Sequence, residues 1–259
     1  MLQELNIAGL SISLYNVFDS LAGITLLGYI LFHTIPYRDL ISHKKERTQR
    51  KTTLLAFIQL VIISALCYLM FKTFNRAFAD WFTDGNANYY GNLTAWLIVF
   101  LIVPKIFKVS SLQAMDLLSP GLPLSLFVAK LACVFHGCCS GFEMNSSFYF
   151  NQSTNRHEFP VQLVEALVAF ALFFVIRLYQ KRNKIPGSVF PVYLILYSIS
   201  RFITEFFRAD LPNVLGSFDA YQIMSVVFLL VGGGLLYFVW IYKYESDTHN
   251  KPEEFKHKR

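Results

Sequence analysis

Long apolar runs alternate with short polar stretches along the whole chain. Seven such runs occupy approximately residues 15–35, 54–74, 93–107, 117–135, 161–179, 189–207 and 220–242. They are continuous, without the every-other-residue alternation of a barrel strand. About 20 apolar residues cross a bilayer as a helix, which satisfies its own backbone hydrogen bonds in lipid. The pattern therefore predicts an all-α, polytopic integral membrane bundle of about seven transmembrane helices, the third being short. One membrane domain over residues 1–242 is followed by a polar tail at 243–259, which contains Pro252.

Composition agrees with that reading. Of 259 residues, 54% are hydrophobic and only 15% charged, against about 25% charged in a soluble domain. The mean hydropathy is +0.43. A disordered chain is excluded, and a soluble α/β enzyme is not expected. Four cysteines in this length make no disulfide framework. Met1 to Leu14 holds no Lys or Arg, so the basic start of a cleavable leader is missing.

The net charge of +6 acquires a meaning from its distribution. Seventeen of the 23 basic residues fall between runs 1 and 2, at or just beyond the ends of runs 3 and 5, and in the tail. Arg76, Arg156 and Arg208 fall in the alternate segments. By the positive-inside rule the N-terminus lies outside and the tail is cytoplasmic. Topology and contact with anionic lipid account for the charge, and a nucleic-acid partner is not expected.

Some ionisable groups remain inside or beside apolar runs. An ionised side chain in lipid costs several kcal/mol unless paired or hydrated, which makes it a functional candidate. Lys130 and Arg201 fall in the outer halves of runs 4 and 6; Asp19 and Glu165 fall near the outer starts of runs 1 and 5. Arg201, Glu205 and Arg208 share one helical face at i, i+4 and i+7. Two guanidiniums oriented by a carboxylate suit a phosphate; the bland alternative is an ion-pair network that only locks the bundle. Glu165, just after Pro160, is equally a carboxylate favoured by the start of a helix.

The densest chemistry is Cys133-Val134-Phe135-His136-Gly137-Cys138-Cys139-Ser140-Gly141. Three thiols and an imidazole invite a metal reading, but the spacing matches no common structural-zinc pattern, and no metal is expected. A thiol nucleophile with His136 as base is a second possibility. The commoner account is close helix packing by Gly137, Gly141 and the cysteines, with His136 hydrogen-bonding at the lipid–water boundary.

Three blocks, between Asp116 and Asp210, give the chain a family likeness. The first runs from Asp116-Leu-Leu-Ser-Pro120 through Lys130-Leu-Ala-Cys133 to His136-Gly137 and Gly141. It is similar to the family's Arg-x-Gly-Asn-Phe-x-Asn-Gly string. The second, Pro160-Val-Gln162-Leu-Val-Glu165, is similar to a Pro-Ser-Gln-Leu-Tyr-Glu box. The third and most specific, Tyr197-Ser-Ile-Ser-Arg201-Phe-Ile-Thr-Glu205-Phe-Phe-Arg208-Ala-Asp210, is close to Tyr-Gly-x-x-Arg-Phe-x-x-Glu-Phe-Phe-Arg-x-x-Asp. By these three blocks the chain resembles the bacterial prolipoprotein diacylglyceryl transferases.

The resemblance implies an enzyme of the bacterial cytoplasmic membrane with its active site facing the outer leaflet. Its partners would be phosphatidylglycerol and the signal peptide of a prolipoprotein, whose lipobox cysteine receives the diacylglyceryl group; no cofactor is implied. Arg201 would be the principal phosphate contact, with Lys130 and Arg208 assisting and Glu205 orienting the arginines. Gln162 and Glu165 would bind the headgroup or position partners, and Cys133, Gly137 and Gly141 fall within the matching string. The chain also departs from the pattern. Lys130 replaces an Arg, His136 and Cys133 each replace an Asn, and the family's His-Gly-Gly-Leu motif corresponds to Tyr90-Gly91-Asn92-Leu93. Either His136 or Tyr90 would then be the base. These departures leave room for a sister enzyme with another acceptor, an inactive lipid-binding paralogue, or a transporter.

Overall fold

The computed structural model describes residues 4–7, 10–13, 17–18, 20–26, 28–29, 93–94, 98, 111–139, 141–145, 149–151, 154–182, 185–209 and 213–249. Run 2, most of run 3, Asp19 and Tyr90 lie outside the described residues.

Five helices dominate: α1 (Ser111–Leu118), α2 (Gly121–His136), α3 (Val161–Arg182), α4 (Val189–Glu205) and α5 (Ala220–His249). Met115–His136, Val161–Arg182 and Ala220–Ile241 are long and apolar enough to cross a membrane. The described part of run 1 is helical as well. Run 4 contains one interruption, at Ser119 and Pro120, where the Ser119 hydroxyl donates to the Met115 carbonyl at 2.5 Å. Proline has no N–H to continue the ladder, but its φ of −68° suits a helix start, so the chain restarts as α2.

The helices pack as sequential neighbours, α2 on α3, α3 on α4 and α4 on α5. Phe190, Tyr193 and Leu194 of α4 are fully buried at the centre of the core. A Cβ on Gly232 of α5 would stand 3.0 Å from Ile195 and 3.1 Å from the Leu194 Cβ, so the missing side chain is what lets α5 approach α4. The described residues of run 1 lie along α2 in the opposite direction. Phe18 stacks on Phe135 at 4.9 Å near one end, and Tyr29 lies against Gly121 near the other.

Around its apolar core the protein exposes many large apolar side chains and buries several ionisable and amide groups. Leu230, Phe174 and Trp240 face outward, while Gln162, Glu165, Arg201, Glu205, Gln222 and Ser225 are buried. A surrounding lipid phase accounts for both halves of that observation.

Two carboxylates set helix starts. Asp219 accepts the Gln222 N–H at 2.8 Å, and the Gln222 side chain accepts the Asp219 N–H at 3.2 Å. This reciprocal capping box opens α5. Asp116, on α1, accepts the backbone N–H groups of Gly187 at 2.5 Å and Val189 at 2.8 Å. It thereby serves the start of α4 from another element, which no local spacing announces.

Three short antiparallel hairpins complete the described fold: β1 (Glu4–Ile7) with β2 (Leu10–Ser13), β3 (Phe150–Asn151) with β4 (Arg156–His157), and β5 (Asn213–Leu215) with β6 (Phe218–Asp219). An all-α description is thus amended by small strands outside the core helices. β1 pairs with β2 in the register Leu5↔Ile12 and Ile7↔Leu10. The alternation of apolar and polar residues there is a strand signal that a search for long apolar runs passes over.

Candidate active site

The second half of α2, the start of α3, the end of α4 and the start of α5 meet at one end of the bundle, and ionisable residues gather there. Glu165 is the hub. One of its carboxylate oxygens lies 2.5 Å from Lys130 Nζ of α2, and the other pairs with the Arg201 guanidinium of α4. Arg201 also reaches Glu205 at 2.9 Å, one turn along its own helix. Glu205 in turn receives Arg208 Nε at 3.3 Å. Arg201 and Arg208 both lie over the Tyr221 ring of α5, at 5.1 Å and 5.4 Å from its centroid.

Lys130, Arg201, Glu205, Arg208, Glu165 and their helices are therefore brought together, although they come from widely separated parts of the chain. α4 ends at Glu205. The next three backbone N–H groups each bond three residues back, tightening the chain so that Arg208 stays beside Glu205 beyond the helix proper. Reading Glu165 only as a carboxylate at a helix start misses its principal role: it joins two helices through two cations.

Both arginines and both carboxylates are nearly or wholly withdrawn from the surface, and Lys130 keeps 14% of its side chain exposed. A cavity of about 20 Å³ lies beside the group, bounded by Lys130, Glu165, Tyr197, Ser200, Arg201 and Thr204. It has room for about one water molecule. The Gln162 side-chain oxygen and the Ser198 hydroxyl are buried and make no hydrogen bond to the described residues. A buried polar group left without a partner costs roughly 1–3 kcal/mol.

Gln162 also donates to the Cys138 carbonyl at 2.6 Å, which ties α3 to the turn after α2. In that turn Gly137 is left-handed at φ 75° and caps α2, its N–H returning to the Cys133 carbonyl. Cys139 is left-handed as well, at φ 64°. Cys133, Cys138 and Cys139 are free thiols. Cys139 is held well below the usual thiol range by hydrogen bonds from Cys133 and then Cys138, with Lys130 and Arg208 adding positive field. Cys138 is raised for the converse reason, being bound as a donor between Cys133 and Cys139.

Gly141 makes its close approach to a loop rather than to a helix. A Cβ there would stand 2.2 Å from the Phe159 carbonyl oxygen. Gly141 pairs with Arg208, and Glu143 with Glu158, as isolated antiparallel bridges. Phe142, Phe159 and Phe207 stack at this corner. The segment before α3 is thus fastened to the residue that follows the Arg201–Glu205 turn.

His136 stands exposed on the last turn of α2. Six positions on from Lys130, it is about 120° away around the helix, so the two do not share a face.

Residues 4–240 match the prolipoprotein diacylglyceryl transferase family. A relative from Clostridium perfringens, phosphatidylglycerol–prolipoprotein diacylglyceryl transferase 2, is 33% identical over 150 residues, covering 56% of this chain and 58% of that protein. The corresponding transferase of Clostridium tetani is 26% identical over 149 residues, covering 55% of this chain and 60% of its own length. That of Shigella boydii is 25% identical over 232 residues, covering 74% of this chain and 77% of its own length. The matches to the two clostridial relatives therefore span somewhat more than half of those proteins.

Proposed function

Because this chain belongs to the prolipoprotein diacylglyceryl transferase family, we propose that it moves a diacylglyceryl group from phosphatidylglycerol to the lipobox thiol of a prolipoprotein. The site would open toward the outer leaflet of the bacterial cytoplasmic membrane. About seven spans over residues 1–242 would leave the N-terminus outside and the 243–259 tail in the cytoplasm. The distribution of basic residues supports this orientation.

One observation carries the reading: three cations, Lys130, Arg201 and Arg208, gather in one buried group and are oriented there by Glu165 and Glu205.

The chemistry follows from that charge. The acceptor thiol gives its proton to a base, its sulfur bonds to the terminal glycerol carbon of the diacylglyceryl group, and the carbon–oxygen bond to phosphate breaks. Glycerol phosphate leaves with the electron pair. Cations already fixed around the phosphate stabilise that growing charge without reorganising. Arg201 can present its planar fork because Glu165 and Glu205 hold it from two sides. Lys130 and Arg208 flank it, and Gln162, whose oxygen has no hydrogen-bond partner among the described residues, would offer that oxygen to a headgroup hydroxyl. His136 and Tyr90 are the two bases the sequence offers.

The direct test is transfer by the purified full-length protein in detergent. Given phosphatidylglycerol and a lipobox peptide, it should form a thioether-linked diacylglyceryl peptide and release glycerol phosphate, both read by mass spectrometry. Phospholipid that co-purifies but never turns over would overturn the reading in favour of a lipid-binding paralogue. Release of glycerol phosphate without lipidated peptide would replace the thiol with another acceptor.

A further inference from the structure

The ion-pair group makes no use of the three thiols beside it, and their arrangement has a chemistry of its own. We infer that Cys133, Cys138 and Cys139 form a three-sulfur binding site for a soft monovalent metal ion, Cu(I), at the C-terminal end of α2. The sulfur atoms of all three lie within 4.8 Å of one another. Three sulfurs around one ion at bond lengths of roughly 2.3 Å stand about 4 Å apart. Closing the present cluster onto an ion therefore takes side-chain rotation of less than about 1 Å, with no change of backbone.

The backbone is already committed to this arrangement. In sequence, Cys-x-x-x-x-Cys-Cys resembles no common structural-zinc pattern. In the fold, left-handed Gly137 ends α2 and turns the chain back over the last helical turn, where Cys133 lies. Cys139 is itself left-handed at φ 64°, a conformation that costs a residue with a Cβ of order 1 kcal/mol. Two buried amides fix the turn from outside. Asn151 donates to the Gly137 carbonyl at 3.0 Å, and Gln162 donates to the Cys138 carbonyl at 2.6 Å. Asn151 is itself anchored by Glu158, at 2.9 Å. Because these bonds hold the turn without using the sulfurs, the thiols are left converging on one point.

The ligand set selects the ion. Thiolate sulfur prefers soft d10 ions, Cu(I) and Zn(II) foremost. Zn(II) in a closed site takes four ligands, and among the described residues no His, Asp or Glu joins the three cysteines. Three sulfurs alone satisfy Cu(I). Each cysteine binds as its thiolate, and any thiol proton still present is released to solvent, so the occupied site carries up to two net negative charges. Lys130 and Arg208 are close enough to act electrostatically on Cys139 and would offset them.

The experiment titrates Cu(I) into the full-length, anaerobically reduced protein in detergent against a chromophoric Cu(I) chelator, with X-ray absorption counting the sulfur neighbours. One ion per chain with three sulfur neighbours is expected. Cys133→Ser, Cys138→Ser and Cys139→Ser should each weaken binding by at least about 100-fold, while Cys67→Ser leaves it unchanged. Thermal unfolding guards against misfolded variants: each serine variant should melt near the metal-free wild type but lose the rise in Tm that Cu(I) produces. Substoichiometric copper, binding that survives Cys139→Ser, or fewer than three sulfur neighbours would overturn the inference. So would Zn(II) that competes Cu(I) off the protein.

Discussion

Lys130 Nζ and Glu165 Oε2 stand 2.5 Å apart between α2 and α3, and the same carboxylate holds Arg201 on α4. Neutralising Glu165 therefore acts on two cations at once. Glu165→Gln keeps the shape and leaves both cations underpaired in a buried place, a loss on the order of 3 kcal/mol. Transfer should fall by about 100-fold, because an Arg201 that is no longer held from α3 loses its aim. Removing Lys130 as well, in Lys130→Met/Glu165→Gln, should restore part of the stability. A double-mutant cycle read by thermal unfolding should then show a coupling of roughly 1–3 kcal/mol. Additive losses would mean that the pair does not interact in the membrane.

Arg201 is held on two sides, by Glu165 and by Glu205. A single ammonium cannot reproduce a planar fork that meets two carboxylates while facing a phosphate. Arg201→Lys, which preserves the charge, should fold but lower kcat/KM for phosphatidylglycerol by about 100-fold, a loss typical of an oriented donor to a developing anion. Steady-state kinetics with the lipobox peptide in excess would measure it. Near wild-type turnover in this variant would reduce Arg201 to a lock between helices.

The sequence discloses this fold where lipid imposes its rule and falls silent where contacts join remote segments. Runs 4 to 7 are recovered as helices within a few residues over most of their ends, because helical hydrogen bonding in lipid leaves little freedom. The Arg201–Glu205–Arg208 stripe is legible from its spacing alone. The Lys130–Glu165–Arg201 bridge is not, because it joins three helices whose relative rotation no local pattern encodes. Asp116 is read as part of a motif, yet its carboxylate serves Gly187 and Val189 some seventy positions away. The cysteine turn is another case. Its glycines suggest close helix packing, whereas Gly137 is needed for its left-handed cap and Gly141 for its approach to a loop carbonyl.

That approach makes Gly141 a sensitive position. A methyl group at 2.2 Å from the Phe159 oxygen has no room, and the obstacle is backbone, not a movable side chain. Gly141→Ala should cost about 1–3 kcal/mol and push the segment away from Arg208, its bridge partner. Amide exchange should accelerate at Phe142 and Phe159, whose N–H groups bond to the Phe207 and Phe142 carbonyls. Transfer should fall with it, since Arg208 is displaced from Glu205. Unchanged protection at both amides would show that the loop absorbs the methyl group elsewhere.

The metal-free protein should also show an unusual dependence of thiol reactivity on pH. Alkylation needs the thiolate. For an ordinary thiol, titrating near 8.5, its population falls roughly 10-fold per unit below that value, or close to 100-fold from pH 8 to pH 6. Cys139 is held well below that range by its hydrogen bonds from Cys133 and Cys138, so its alkylation rate should fall much less over the same interval. Cys138, pushed upward, should show the full decline and react slowly throughout. Taking the ratio of rates at the two pH values for each peptide, by mass spectrometry, cancels the effect of partial burial on absolute rate. The sign for stability follows from the same shift. Ionised Cys139 contributes fully above the ordinary thiol range, and that contribution is lost as the pH falls toward its depressed folded value. Cys133→Ala removes the leading donor and should return Cys139 to a steeper profile; an unchanged ratio in that variant would place the source of the acidity with Cys138, Lys130 and Arg208 instead.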